Sequence, residues 1–101
     1  MVKYKTTVSQ NTFQMLDKHI FFLAKVSTKA AHSLRKTFVR TIKSLNNNPK
    51  RYPLWLPQFK LSKPYRNILI NKRYLIIFYI DGNNIFVDYL LDCRMNNEKF
   101  F

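Results

Sequence analysis

Polar and apolar residues alternate at the start of the chain, where Val2, Tyr4, Thr6 and Val8 interleave with Lys3, Lys5 and Thr7. That period of two predicts a half-buried strand over residues 2–8 with its polar side toward water. The period then changes. Phe13, Leu16, Ile20, Leu23 and Ala24 recur at three- and four-residue spacing, which predicts an amphipathic helix to about Lys25, capped by Ser9 or Asn11. Ser27 or Thr28 restarts the pattern, and Ala31, Leu34, Phe38, Ile42 and Leu45 give the apolar face of a second helix ending at Asn46-Asn47-Asn48-Pro49. The two helices form a hairpin. On the second, Lys29, Lys36, Arg40 and Lys43 share one face by the same spacing.

Pro49, Pro53, Pro57 and Pro64 fall together after this helix, where regular structure cannot persist. Tyr52, Leu54, Trp55, Leu56, Phe59 and Leu61 make the same stretch too apolar to float free, so it is expected to fold back over one end of the core. Three strand patterns follow: 66–70, 73–80 and 85–94. Asp81-Gly82-Asn83-Asn84 supplies the turn between the last two, with the only glycine where positive φ is wanted. This β-α-α-β-β-β order predicts an α+β fold, a helix hairpin on one face of a mainly antiparallel sheet of about four strands. A chain of 101 residues supports one core and one domain, 1–101.

Parity sorts the central strand. Tyr74, Ile76, Phe78 and Ile80 belong against the helices, and Arg73, Leu75, Ile77 and Tyr79 look to the opposite, open face. Lys3 and Lys5 from the first strand and Arg66 from the second are expected to project from that face too, with Arg94 swinging over it from the end of the last strand. Cations around an aromatic grip phosphates and stack bases. Composition strengthens this reading: the formal net charge is +13, and every charged side chain between Asp17 and Asp81 is basic. So large an imbalance implies a polyanionic or acidic partner.

Other classes of chemistry find little support. The apolar runs are too short to span a bilayer and no secretory signal is evident, so a cytoplasmic protein without membrane attachment is expected. A lone Cys93 and two histidines on separate helices give no metal-ligand spacing, and a single glycine precludes a phosphate loop, so no metal or cofactor is expected. Cys93 is expected to be a small packing residue. Asp88 and Asp92, four apart in the last strand, are expected on one face, where they would pair with Arg or Lys.

Leu45-Asn-Asn-Asn-Pro49, Lys50-Arg51-Tyr52-Pro53-Leu54, Tyr65-Arg66, the run from Lys72 to Gly82 and Leu91-Asp92-Cys93-Arg94 together resemble RelE/ParE toxins, in particular those described as plasmid stabilisation proteins. The likeness runs the length of the chain. It implies the toxin of a bacterial type II toxin–antitoxin pair, with a cognate acidic antitoxin as partner and a target that is either messenger RNA in the ribosome or DNA gyrase. In the RNA-cleaving branch, a 2′-hydroxyl attacks the adjacent phosphate while cations, a base and an acid assist. Arg94 matches that branch's arginine after the last strand. Its central-strand arginine falls at Leu75, with Arg73 two residues earlier, and its C-terminal aromatic falls at Phe100, which has no hydroxyl. Lys72 or Tyr79 is left for proton transfer. Ribosome-dependent RNA cleavage is placed narrowly first, gyrase poisoning second, and a non-toxic nucleic-acid-binding module third.

Overall fold

The computed structural model describes residues 3–55 and 63–94. Leu56, Phe59 and Leu61, along with Val2 and Phe100, lie outside these. The chain runs β1 (Lys5–Val8), α1 (Gln10–Ala24), α2 (Thr28–Ser44), a 3-10 turn at Pro49–Arg51, β2 (Arg66–Ile70), β3 (Tyr74–Asp81) and β4 (Asn84–Asp92). The expected β-α-α-β-β-β order and α+β class are the observed ones. The sheet order is β1-β4-β3-β2. β1 lies parallel to β4 and the other pairs are antiparallel.

Local chemistry sets the boundaries. The Ser9 side chain accepts a hydrogen bond from the backbone N–H of Thr12, and Ser27 does the same for Ala30, so each helix opens on a serine cap. The β3–β4 turn places Gly82 at φ 59°, the backbone a two-residue hairpin needs at its first central position. The β2–β3 turn has no glycine: Asn71 and Lys72 both adopt positive φ, at 50° and 59°.

The core lies between the helix hairpin and one face of the sheet. Leu34 and Phe38 from α2, Leu45 at its C-cap and Leu16 from α1 meet Tyr74, Ile76 and Phe78 of β3 and Ile85, Val87 and Leu90 of β4. Burying each large side chain stabilises the fold by about 1.5–3 kcal/mol. The proline-rich stretch folds back as far as it is described: Pro49 is buried, and the Tyr52 ring stands edge-on to Phe78 at 6.1 Å. Two positions of α1 depart from the periodicity, Phe13 and Ala24, both exposed. Phe13 is 49% exposed and Thr12 is fully buried in its stead, because the Thr12 hydroxyl donates to the carbonyl of Val87.

That bond belongs to a larger arrangement. β1 pairs only with residues 84–87 of β4, which leaves the backbone of 88–92 as a strand edge. Here α1 takes over from β1. Ser9 Oγ donates to Asp88 O, Met15 Sδ accepts from the N–H of Leu90, and His19 Nε2 donates to Leu90 O at 2.9 Å. Side chains of one helix thus satisfy edge groups that would otherwise recruit another strand.

β4 also breaks its own parity. The β3–β4 register shifts between Ile77 and Phe78, so that Ile77 opposes Tyr89 while Phe78 opposes Val87, and Asp88 is the extra residue of a bulge. Ile85, Val87, Leu90 and Asp92 therefore stand opposite the helix-facing side chains of β3, and Phe86, Tyr89 and Leu91 stand on the far side. The bulge overturns the expectation that Asp88 and Asp92 share a face. Asp88 accepts a 2.6 Å hydrogen bond from the Tyr65 hydroxyl, and Asp92 is engaged at the other end of the strand.

Candidate functional site

The far face of the sheet is not the open cationic surface expected from parity. Tyr65, Ile77 and Leu91 form a second buried cluster, with Trp55, Leu75, Tyr79 and Tyr89 packed against it. Ile77, expected to be available to a partner, is fully buried there. The aromatics that follow the prolines bring this about: the N–H of Trp55 donates to Tyr65 O and that of Asn67 to Pro53 O, which fastens the segment beside β2 and over the face. Tyr79 survives as a half-buried rim residue, stacked on Phe86 at 5.2 Å with the Lys63 ammonium 4.5 Å from its ring. Leu75 is half-buried against Leu91 at the other end of the cluster, and Lys5 is exposed on β1.

Arg66 is a clear correction. It stands opposite Phe78, on the helix side, and its guanidinium donates to the carbonyls of Tyr52 at 2.6 Å and Lys50 at 3.3 Å. It is a brace for the 3-10 turn. Lys3 is exposed ahead of β1, remote in sequence and register from the arginines discussed next.

Arg73 and Arg94 do come together, and Asp92 is the reason. Nε and Nη2 of Arg73 donate to Asp92 Oδ2 at 3.1 and 3.0 Å. The other carboxylate oxygen accepts the backbone N–H of Arg94 at 2.9 Å and lies 3.6 Å from its Nε. The Asp92 side chain is only 7% exposed, against 33% for Arg73 and 66% for Arg94. Two guanidiniums around one carboxylate leave a net positive charge and several N–H groups toward solvent, a geometry suited to holding an anion. Arg73 turns away from the Leu75 side and lies with its guanidinium 5.1 Å from the Tyr74 ring.

Arg73, Tyr74 and Asp92 line a cleft of about 490 Å³ between α1 and the ends of β3 and β4, together with Lys18, His19, Phe22 and Tyr89. The sequence reading missed this cleft, because it forms only where α1 replaces β1 along the edge of β4. His19, which has no metal-ligand spacing in the sequence, commits its Nε2–H to Leu90 O, and its ring lies 4.9 Å from Tyr74. Tyr74 is buried, and that burial pushes its phenol above the usual value. Tyr65 is pushed up further, first by burial and then by its hydrogen bond to Asp88. Neither phenol is set up to lose a proton near neutrality.

The four candidate catalytic residues divide between two places. Lys72 sits exposed in the turn next to Arg73. Tyr79 is six residues along β3 from Arg73, roughly 20 Å at about 3.3 Å per residue, and so cannot serve the same phosphate. Cys93, expected to pack, is exposed, and its N–H donates to the Arg73 carbonyl. Among the described residues no cluster of side chains fit to hold a metal ion occurs. No described helix is long and apolar enough to cross a membrane.

No family model matches the chain, and no curated protein matches it in sequence. A solved structure does share its fold. A chain of the chromosomal ParDE TA system from P. aeruginosa superposes with a TM-score of 0.70 at 12% identity, covering 91% of this chain and 98% of that one. The chain therefore shares the fold of that ParDE-system chain: two helices packed on a four-stranded mixed sheet.

Proposed function

We propose that this protein is the toxin of a type II toxin–antitoxin pair, acting in the cytosol and silenced by a cognate acidic antitoxin. The observation that carries this reading is the fold, shared over nearly the whole length with a chain of a ParDE system. The arginine pair beside the cleft and the exposed aromatics of α1, Phe13, Phe21 and Phe22, add a cationic and an apolar surface that an acidic amphipathic segment can cover.

As to target, the separation of Tyr79 from the arginines weighs against the RNA-cleaving arrangement that the sequence placed first and favours the gyrase-poison reading. Ribosome-dependent cleavage of messenger RNA stays as the second reading because Arg73 and Arg94 do converge. Inducing the chain in bacterial cells separates these targets. Growth arrest with double-strand DNA breaks and intact transcripts is expected, and Arg94→Ala is expected to relieve the arrest while leaving the fold unchanged, since that side chain is largely exposed. Cuts inside translated codons would move the assignment to the ribosome. Normal growth with abundant soluble protein would reject the toxin reading in favour of a nucleic-acid-binding module.

A further inference from the structure

The outer face of α2 is unused by the site above. Lys29, His32, Lys36, Arg40 and Lys43 line a shallow trough of about 910 Å³ along this helix, and each is exposed. From Lys29 to Lys43 the stripe runs roughly 21 Å at about 1.5 Å per residue. The opposite face of the same helix is locked into the core through Leu34, Phe38 and Leu45, so the cations are carried on a rigid rod. Among the described residues, the ion pairs are those of Asp92, and no carboxylate neutralises the stripe.

What such a surface fits can be narrowed by its chemistry. A protein partner would need apolar area to bury, and Val39, 44% exposed, is the one large hydrophobic residue in the lining. A membrane surface needs an apolar face to insert, and that of α2 is already consumed. Single-stranded nucleic acid is held largely by stacking on aromatic platforms, whereas the lining contains no Phe, Tyr or Trp. Phosphates of a duplex need only cations. Between duplexes, B-form DNA has a major groove about 12 Å wide that admits a helix, while the A-form RNA groove is too narrow.

We propose that the outer face of α2 binds duplex DNA without sequence preference, holding its phosphates through Lys29, Lys36, Arg40 and Lys43. This function stands apart from growth inhibition, and it is read by a different assay. Four phosphate contacts contribute a salt slope of about −3.6 to the logarithm of affinity, so binding falls at least ~100-fold between 50 and 200 mM KCl.

The test is fluorescence anisotropy of the full chain with labelled 20-base-pair duplexes of two unrelated sequences. The two sequences are expected to bind alike. Lys36→Gln with Arg40→Gln is expected to reduce the slope by about 2. Lys25→Gln with Lys50→Gln removes the same charge from exposed positions outside the stripe and is expected to leave the slope nearly unchanged. Glutamine is as good a helix former as the residues it replaces, and circular dichroism verifies that both variants fold. Equal losses in the two double variants would reduce the effect to net charge and overturn the proposal. So would unchanged binding by the stripe variant, or binding of single-stranded DNA or of duplex RNA as tight as that of duplex DNA.

Discussion

At the scale of single residues, burial organises the core, and hydrogen bonds and backbone strain set the exceptions. Leu34, Phe38, Tyr74, Ile76 and Phe78 are core residues by periodicity and are buried in the structure. Thr12 outranks Phe13 because a hydroxyl, and no aromatic ring, can satisfy the Val87 carbonyl; nothing in the spacing signals that. Lys72 presents the reverse case, a charged side chain held at φ 59°, where a residue other than glycine costs about 1–2 kcal/mol. Such strain at a candidate site motivates a functional test. Lys72→Gly is expected to stabilise the protein by ~0.5–1 kcal/mol, after the greater chain entropy of glycine is discounted, seen as a melting temperature a few degrees higher. If Lys72 contributes its charge beside Arg73, the same variant is also less toxic; unchanged toxicity would remove it from the site. Tyr65 supports a prediction in pH. Its phenol is raised in the fold above the ordinary 10.0, so its stabilising contribution is complete below that value. As pH climbs past 10 the unfolded chain gives up this proton while the folded one retains it, and stability drains away. Urea midpoints at pH 9 and pH 11 should differ less in Tyr65→Phe than in the parent. A residual slope is expected from Tyr74, which is raised in the same direction.

At the scale of elements, boundaries and order followed from periodicity, caps and turn residues, but pairing did not. Strict alternation assigns Tyr89 and Leu91 to the face of Val87; the bulge at Asp88 reverses them, and a bulge has no signature in a period of two beyond a polar residue in an apolar run. The same bulge points Asp92 toward the arginines and frees the Leu90 backbone for α1. It follows that the number of residues in β4 matters more than the chemistry of residue 88. Deleting Asp88 is expected to force either the aromatics Tyr89 and Tyr65 apart or Asp92 away from Arg73, and to lower stability by ~4 kcal/mol or more, as for lesions that disrupt a core and a buried polar network together. Asp88→Ala keeps the residue count and loses mainly the Tyr65 hydrogen bond, about 1–3 kcal/mol. Matched urea midpoints for the two variants would show that the bulge does not set the register.

At the scale of the molecule, charge was legible as an amount and misread as a place. Parity assigns the excess of cations to the far face of the sheet, yet that face is capped by Trp55 and Tyr65, Arg66 braces a turn on the other side, and cations gather instead at the rim around Asp92 and on the outer face of α2. The apolar surface offered to an antitoxin changes accordingly. On the proposed toxin reading it cannot be Ile77, which is fully buried and where an aspartate would unfold the protein; the surface we propose for it is the α1 side of the cleft, where Phe22 is 61% exposed. On the proposed toxin reading, opposite charge speeds the encounter with an acidic antitoxin and apolar contacts govern how long the complex lasts. The association rate is therefore expected to fall steeply from low to physiological salt, where exposed charges are screened over about 8–10 Å. Phe22→Asp, a substitution on the surface that spares the core, is expected to shorten the lifetime of the complex far more than it slows its formation. Stopped-flow association and chase dissociation with the purified pair measure the two rates separately. A lifetime unaffected by Phe22→Asp would place the antitoxin elsewhere on the molecule, whatever the salt dependence of its arrival.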